Sequence, residues 1–131
     1  MSRKTRKMRR GGATVNIKYG NIAVNGKEIA KNATKAAPTV SIPPGHFLIM
    51  WDRNAMAGTY LHWIQDVAGA IVPYEGPAPP PGTGTHNYVF RLIKGTPKDV
   101  PTARAAVDVG AVIDGQPILY EKEMAVVAKS K

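Results

Sequence analysis

One stretch limits the shapes this chain can take more than any other: the run from Val72 to Phe90, a stiff, proline-rich loop that leads straight into a strand. Pro77, Pro79, Pro80 and Pro81 fix φ and remove amide donors, while Gly82 and Gly84 allow the backbone to turn so that its remaining N–H groups can face something negative. The loop then delivers His86 and Tyr88. Two positions apart on a strand, these side chains share a face, which sets an imidazole and a phenol beneath a glycine-lined rim. A small anion site is the expected use of such a rim.

The remainder of the chain supports a single domain. Its 131 residues suffice to bury a core without staples, and the absence of cysteine excludes disulfides and thiolate metal sites. Of the formal net charge of +9, six charges come from Arg3, Lys4, Arg6, Lys7, Arg9 and Arg10. This basic head, residues 1–13, is expected to be disordered until it meets a polyanion such as nucleic acid or an acidic membrane surface, or an acidic protein face. It has no apolar run behind it, so it does not read as a secretory signal. No stretch approaches the ~20 apolar residues of a membrane span. A soluble protein is therefore expected, with one domain over 14–128.

Hydrophobic spacing favours strands. Val15, Ile17 and Tyr19 alternate with polar residues, and Asn25-Gly26 between Ile22–Val24 and Lys27–Ile29 predicts a hairpin turn. Pro38–Ile42 reads as an edge strand beginning on proline. Phe47–Trp51 is a continuous apolar run too short for a helix, so it predicts a central strand covered on both faces. Strand character resumes at Tyr60–Ile64, Gln65–Val72 connects to the proline-rich loop, and Tyr88–Ile93 is a second apolar strand. Thr102 is positioned to cap one or two helical turns over Ala103–Val107. Gln116–Tyr120 and Met124–Val127 look extended. With proline or glycine at nearly every junction, these segments predict an all-β antiparallel sandwich with one short helix at most.

Three polar residues interrupt the apolar strands: Asp52, His62 and His86. Such groups need partners when buried. If their strands are neighbours, Asp52, His62, His86 and Tyr88 converge at one end of the sandwich, where imidazole, phenol and glycine amides can donate to an anion and the carboxylate can orient a histidine. The bland alternative for a lone histidine among aromatics is a satisfied core residue. Metal binding by Asp52, His62 and His86 has suitable ligand types but no diagnostic spacing. No Gly-x-Ser-x-Gly elbow, reactive cysteine, Walker loop or glycosidase-like carboxylate pair is found, and no cofactor is expected.

Two blocks in order give the chain a family likeness. Leu48-Ile49-Met50-Trp51-Asp52-Arg53-Asn54-Ala55-Met56 with Tyr60-Leu61-His62-Trp63, and Tyr74-Glu75-Gly76-Pro77 through Pro81-Gly82-Thr83-Gly84-Thr85-His86-Asn87-Tyr88, resemble the two signature blocks of the phosphatidylethanolamine-binding protein family, also called the Raf kinase inhibitor protein and flowering-locus-T family. The resemblance implies a two-sheet sandwich with a pocket for phosphate-like or phospholipid headgroup anions, and binding in place of catalysis. It assigns ligand contacts to Asp52, His62, Gly76, Pro77, His86 and Tyr88, to which the spacing argument adds Gly82 and Gly84. Departures from the family pattern fall at Arg53 and Met56, where it has proline, at Asn54, where it has Asp, and at Asn87, where Arg is usual.

The expected function is thus a non-enzymatic binding module for phosphate or a phospholipid headgroup, with a protein partner as a further expectation. The alternative is a structural or interaction protein whose head contacts nucleic acid, membrane or neighbouring subunits, since such heads resemble those on many proteins of large DNA viruses. Cytoplasmic location is expected under the first reading and a virion under the second.

Overall fold

The computed structural model describes residues 15–55 and 58–127. The basic head, Met56 and the expected domain limit at residue 128 lie outside the described residues. Among the described residues seven strands are formed: β1 (Lys18–Tyr19), β2 (Ile22–Ala23), β3 (His46–Asp52), β4 (Tyr60–Asp66), β5 (Gly69–Val72), β6 (Thr85–Lys94) and β7 (Ile118–Val127), with one five-residue α-helix, α1 (Val109–Ile113). Five strands make an antiparallel sheet in the order β5-β4-β3-β6-β7, and β1 pairs with β2 in a small antiparallel sheet. The expectation of a mainly β protein with antiparallel sheets and at most one helix is met.

β3 occupies the middle of the large sheet because nearly all of it is buried. Its alternate residues serve two cores. Leu48 and Met50 pack with Val15, Ile17, Tyr19, Phe90 and Met124 under the amino-terminal layer, while Phe47, Ile49 and Trp51 pack with Leu61, Val89, Val112 and Ile113 under the segment that carries α1. A strand that feeds both faces has little room for polar side chains, which accounts for its continuous apolar run.

The β3–β4 pairing is irregular near the end of β3. Met50 pairs with Trp63 but Trp51 pairs with Leu61, so His62 is an extra residue of β4 with no Cα partner in β3. Such a bulge breaks the two-residue alternation. Leu61 faces one core, Trp63 faces the other, and His62 is turned toward the sheet end.

Several local expectations are corrected. The turn of the first hairpin lies at Gly20-Asn21, not Asn25-Gly26, since Tyr19 pairs with Ile22. Residues 26–29 instead run beside β7, where Gly26 N–H donates to Glu123 O at 2.7 Å and Ile29 N–H to Ala125 O at 2.9 Å. Pro38–Ile42 contributes a single bridge, Thr39 to Lys18, and is not a full strand. Gln65–Val72 is a hairpin, closed by Asp66 Oδ1 accepting from the amides of Ala68 and Gly69. The two extended stretches near the end join into one ten-residue β7.

The expected helical turns at Ala103–Val107 do not form. Their backbone groups serve β4 instead: Arg104 O accepts from Leu61 N–H at 2.8 Å, Val107 N–H donates to Thr59 O at 2.9 Å, and Ala106 sits at φ 56°. The helix starts after Asp108, whose side chain accepts from Ala111 N–H, and it ends at Asp114 in the left-handed region. Among the described residues, no helix is long and apolar enough to cross a membrane.

Candidate functional site

At one end of the large sheet, Asp52 closes β3 directly opposite Tyr88 of β6 and Tyr60 of β4. His86 lies two residues before Tyr88 on the same face, and the bulge brings His62 in from β4. These side chains, with Glu75, form the polar part of a cavity of about 390 Å³, and Ala55, Ala78, Pro79, Pro80 and Ala105 form its apolar part.

The two histidines are held differently. His86 Nδ1 is 2.7 Å from Asp52 Oδ2, and as the carboxylate can only accept, Nδ1 carries the hydrogen. Asp52 Oδ1 accepts in turn from Asn54 N–H at 2.7 Å. On the other side of the ring, His86 Nε2 meets the Thr83 hydroxyl at 2.9 Å, and that hydroxyl is also 2.6 Å from Pro80 O. Both nitrogens of this buried ring are therefore engaged by the protein.

His62 donates Nδ1–H to the Glu75 carbonyl at 2.6 Å, leaving Nε2 open toward the cavity. Its ring meets Tyr88 and Tyr60 edge-on, with centroids 5.2 and 4.9 Å apart. Burial pushes the imidazole below its ordinary range, opposed by the Glu75 hydrogen bond and by the charges of Glu75 and Asp52. His62 is neutral at neutral pH. Burial, and after it the Asp52 carboxylate, raises the Tyr88 phenol, which stays protonated. Tyr60 is raised by burial and by its hydrogen bond to Glu75, with Arg104 opposing.

Glu75 is the hinge of this wall. Its amide donates to His62 O at 2.9 Å, its Oε2 accepts from Tyr60 at 2.8 Å and its Oε1 pairs with Arg104 Nε at 3.2 Å. The same guanidinium donates to Leu61 O, His62 O and Pro73 O at 3.2, 3.0 and 2.8 Å. Planar, five-donor geometry suits arginine to such a cluster of acceptors. Next to it, Tyr74 anchors the proline-rich loop: its hydroxyl donates to Thr34 O at 2.7 Å and accepts from Tyr19 at 2.7 Å, and burial pushes its pKa up to about 12.

Among the residues expected at the site, Asp52, His62, His86 and Tyr88 come together around the cavity; Gly76, Pro77, Gly82 and Gly84 are not among the residues that line it. Gly76 is needed elsewhere, because a Cβ there would lie 2.7 Å from Thr34 O. Pro77 is buried, and Gly82 and Gly84 take φ of 80° in the turn that precedes β6. Sequence reasoning missed Tyr60, Glu75, Thr83 and Arg104. Tyr60 was within reach, being two residues from His62 on the same strand. Among the described residues, no group of three or more His, Cys, Asp or Glu side chains could hold a metal ion.

A family model described as phosphatidylethanolamine-binding protein matches residues 3–129. The chain belongs to the phosphatidylethanolamine-binding protein family. Among curated relatives, the putative lipoprotein LppC of Mycobacterium tuberculosis is 36% identical over 88 aligned positions, covering 47% of this chain and 44% of that protein. A UPF0098 protein of Mycobacterium bovis is 36% identical over 85 positions, covering 47% of this chain and 42% of its own length. The chain thus spans less than half the length of these relatives. In fold, it is similar to a carboxypeptidase Y inhibitor crystallised with its cognate proteinase, with a TM-score of 0.73 at 19% identity over 88% of this chain and 83% of the other.

Within this family frame the departures are physically linked. Asn54 Oδ1 accepts from the backbone N–H and the side-chain Nδ2 of Asn87 at 2.7 and 3.1 Å, so the two asparagines satisfy each other. Arg53 N–H donates to Asn87 O at 3.0 Å, a bond proline could not make, and its guanidinium pairs with Glu123 at 2.9 Å.

Proposed function

We propose that the protein is a non-enzymatic binding module whose cavity takes a small anionic group, a phosphate or a phospholipid headgroup. Asp52, His62, His86 and Tyr88 form the polar end. Gly76, Pro77, Gly82 and Gly84 act by shaping the loop behind it. The observation that carries this reading is the convergence of those four side chains on one cavity with an apolar alanine and proline wall, a combination suited to a polar head on an apolar body. Family membership supports it. His62 Nε2 and the Tyr88 hydroxyl are the groups that meet the ligand, while His86 and Asp52 brace each other.

Because imidazolium is the better anion donor and burial keeps His62 neutral, affinity should weaken as pH rises through the range in which His62 loses its proton, a range that bound anion moves upward. Inorganic phosphate titrated while the His62 and His86 ring signals are followed by NMR is expected to shift His62 more than His86. No movement of either ring at millimolar phosphate would sink the reading.

A second reading rests on the clustering of six basic residues between Arg3 and Arg10. The head binds a polyanion while the domain serves as scaffold. Deleting residues 1–12 should then abolish association with nucleic acid or anionic vesicles, and the intact chain should lose affinity steeply with added salt. Unchanged association after the deletion would exclude the head.

A further inference from the structure

A ligand entering the cavity meets few side-chain hydrogens that are not already committed. Both His86 nitrogens are engaged, by Asp52 at 2.7 Å and Thr83 at 2.9 Å. Tyr60 gives its hydrogen to Glu75 at 2.8 Å. His62 Nδ1–H is fixed on a backbone carbonyl, which can only accept, so the group turned to the cavity is the Nε2 lone pair. Two carboxylates, Asp52 and Glu75, are among the lining residues, and among the described residues no lysine or arginine lines the cavity.

These features discriminate between protonation states of a phosphoryl group. An oxygen without hydrogen set against His62 Nε2 opposes lone pair to lone pair, and a second negative charge would add repulsion from Asp52 and Glu75. A phosphoryl group that keeps one hydrogen avoids both penalties. Its P–O–H donates to Nε2, and another oxygen accepts from Tyr88. A phosphodiester has no such hydrogen at any ordinary pH, whereas a monoester holds one below its second ionisation near ~6.

Resting on the anion-binding reading above, we propose that the cavity selects phosphate monoesters in their singly protonated form over phosphodiesters, with His62 Nε2 as the acceptor that reads the P–O–H hydrogen. The other route, in which His62 takes up a proton so that a diester can bind, works against the burial that holds the ring neutral. The charged and titratable groups around His62 are divided: Asp52 from β3 and Glu75 from the loop favour its protonation, Arg104 opposes it, and Tyr60, Tyr88 and His86 complete its surroundings.

Ethyl phosphate and diethyl phosphate titrated calorimetrically into the full chain, from about pH 5 to about pH 8, test this. At about pH 6 the monoester is expected to bind at least ~10-fold more tightly, and above that pH its affinity should fall by about tenfold per unit as the binding form is depleted. The gap should narrow at the acid end, where His62 can be protonated. Equal affinity for the two esters at about pH 6, or a monoester affinity that holds or rises toward about pH 8, would overturn the inference and leave the cavity reading standing. Binding of neither ester, with both histidine rings silent in NMR, would overturn the two together.

Discussion

His62 and His86 both lie near Tyr88, with ring centroids 5.2 and 6.5 Å from it, yet they are held differently. His86 is braced on both nitrogens by Asp52 and Thr83; His62 is braced on one, by a backbone carbonyl. The same side chain has both nitrogens engaged in one place and only one in the other. The difference comes from the partners: a carboxylate and a hydroxyl close off an imidazole, whereas a single carbonyl fixes its tautomer and leaves a lone pair exposed to the cavity.

Removing Asp52 breaks this contrast most severely. Asp52 and His86 side chains are 6% and 3% exposed, so Asp52→Ala strands a buried ring nitrogen and the Asn54 amide, and it should lower the unfolding free energy by about 3–5 kcal/mol in urea denaturation. The His86 ring signal should move far more than that of His62. A second substitution attacks the other histidine indirectly. Arg104→Met releases Glu75 and three carbonyls of the β4 side while keeping the aliphatic stem, and about 2 kcal/mol of stability should go with a shift of the His62 ring. If only His86 responded, the division between the two would be wrong.

The smallest effect is one of pH. His62 is depressed in the folded state, so between its folded value and ~6.5 the unfolded chain binds more protons, and stability rises with pH across that window. Stability is complete above ~6.5 and is lost as pH falls toward the folded value, at no more than about 1.4 kcal/mol per unit from one group. The difference in slope between the natural chain and His62→Phe, from urea titrations over this range, isolates that contribution. An identical slope would remove His62 as its source.

Much of the frame could be read from residue order. Five apolar residues in a row at Phe47–Trp51 have no good place except a strand buried on both faces, and that is where they lie. Period-two spacing was also enough to join His86 with Tyr88. The helix was harder, because alanine at 103, 105 and 106 suggests helical turns while the backbone at 104 and 107 is claimed by β4, a tertiary demand that no local pattern carries. Arg104 and Glu75 escaped notice for the same reason: their worth lies in acceptors distant in sequence. The paired asparagines at 54 and 87 looked like two unrelated departures, and only their contact makes them one.

The bulge in β4 has a consequence for how such a protein can change over time. Trp63 on one side of His62 and Leu61 on the other are already paired with adjacent residues of β3, so the ladder is continuous without the histidine between them. Loss of that single codon is expected to leave both cores in register and restore an unbroken strand, while taking away the open imidazole. The fold and the polar lining of the cavity are therefore separable here by one residue, and a lineage could keep the sandwich while losing the histidine.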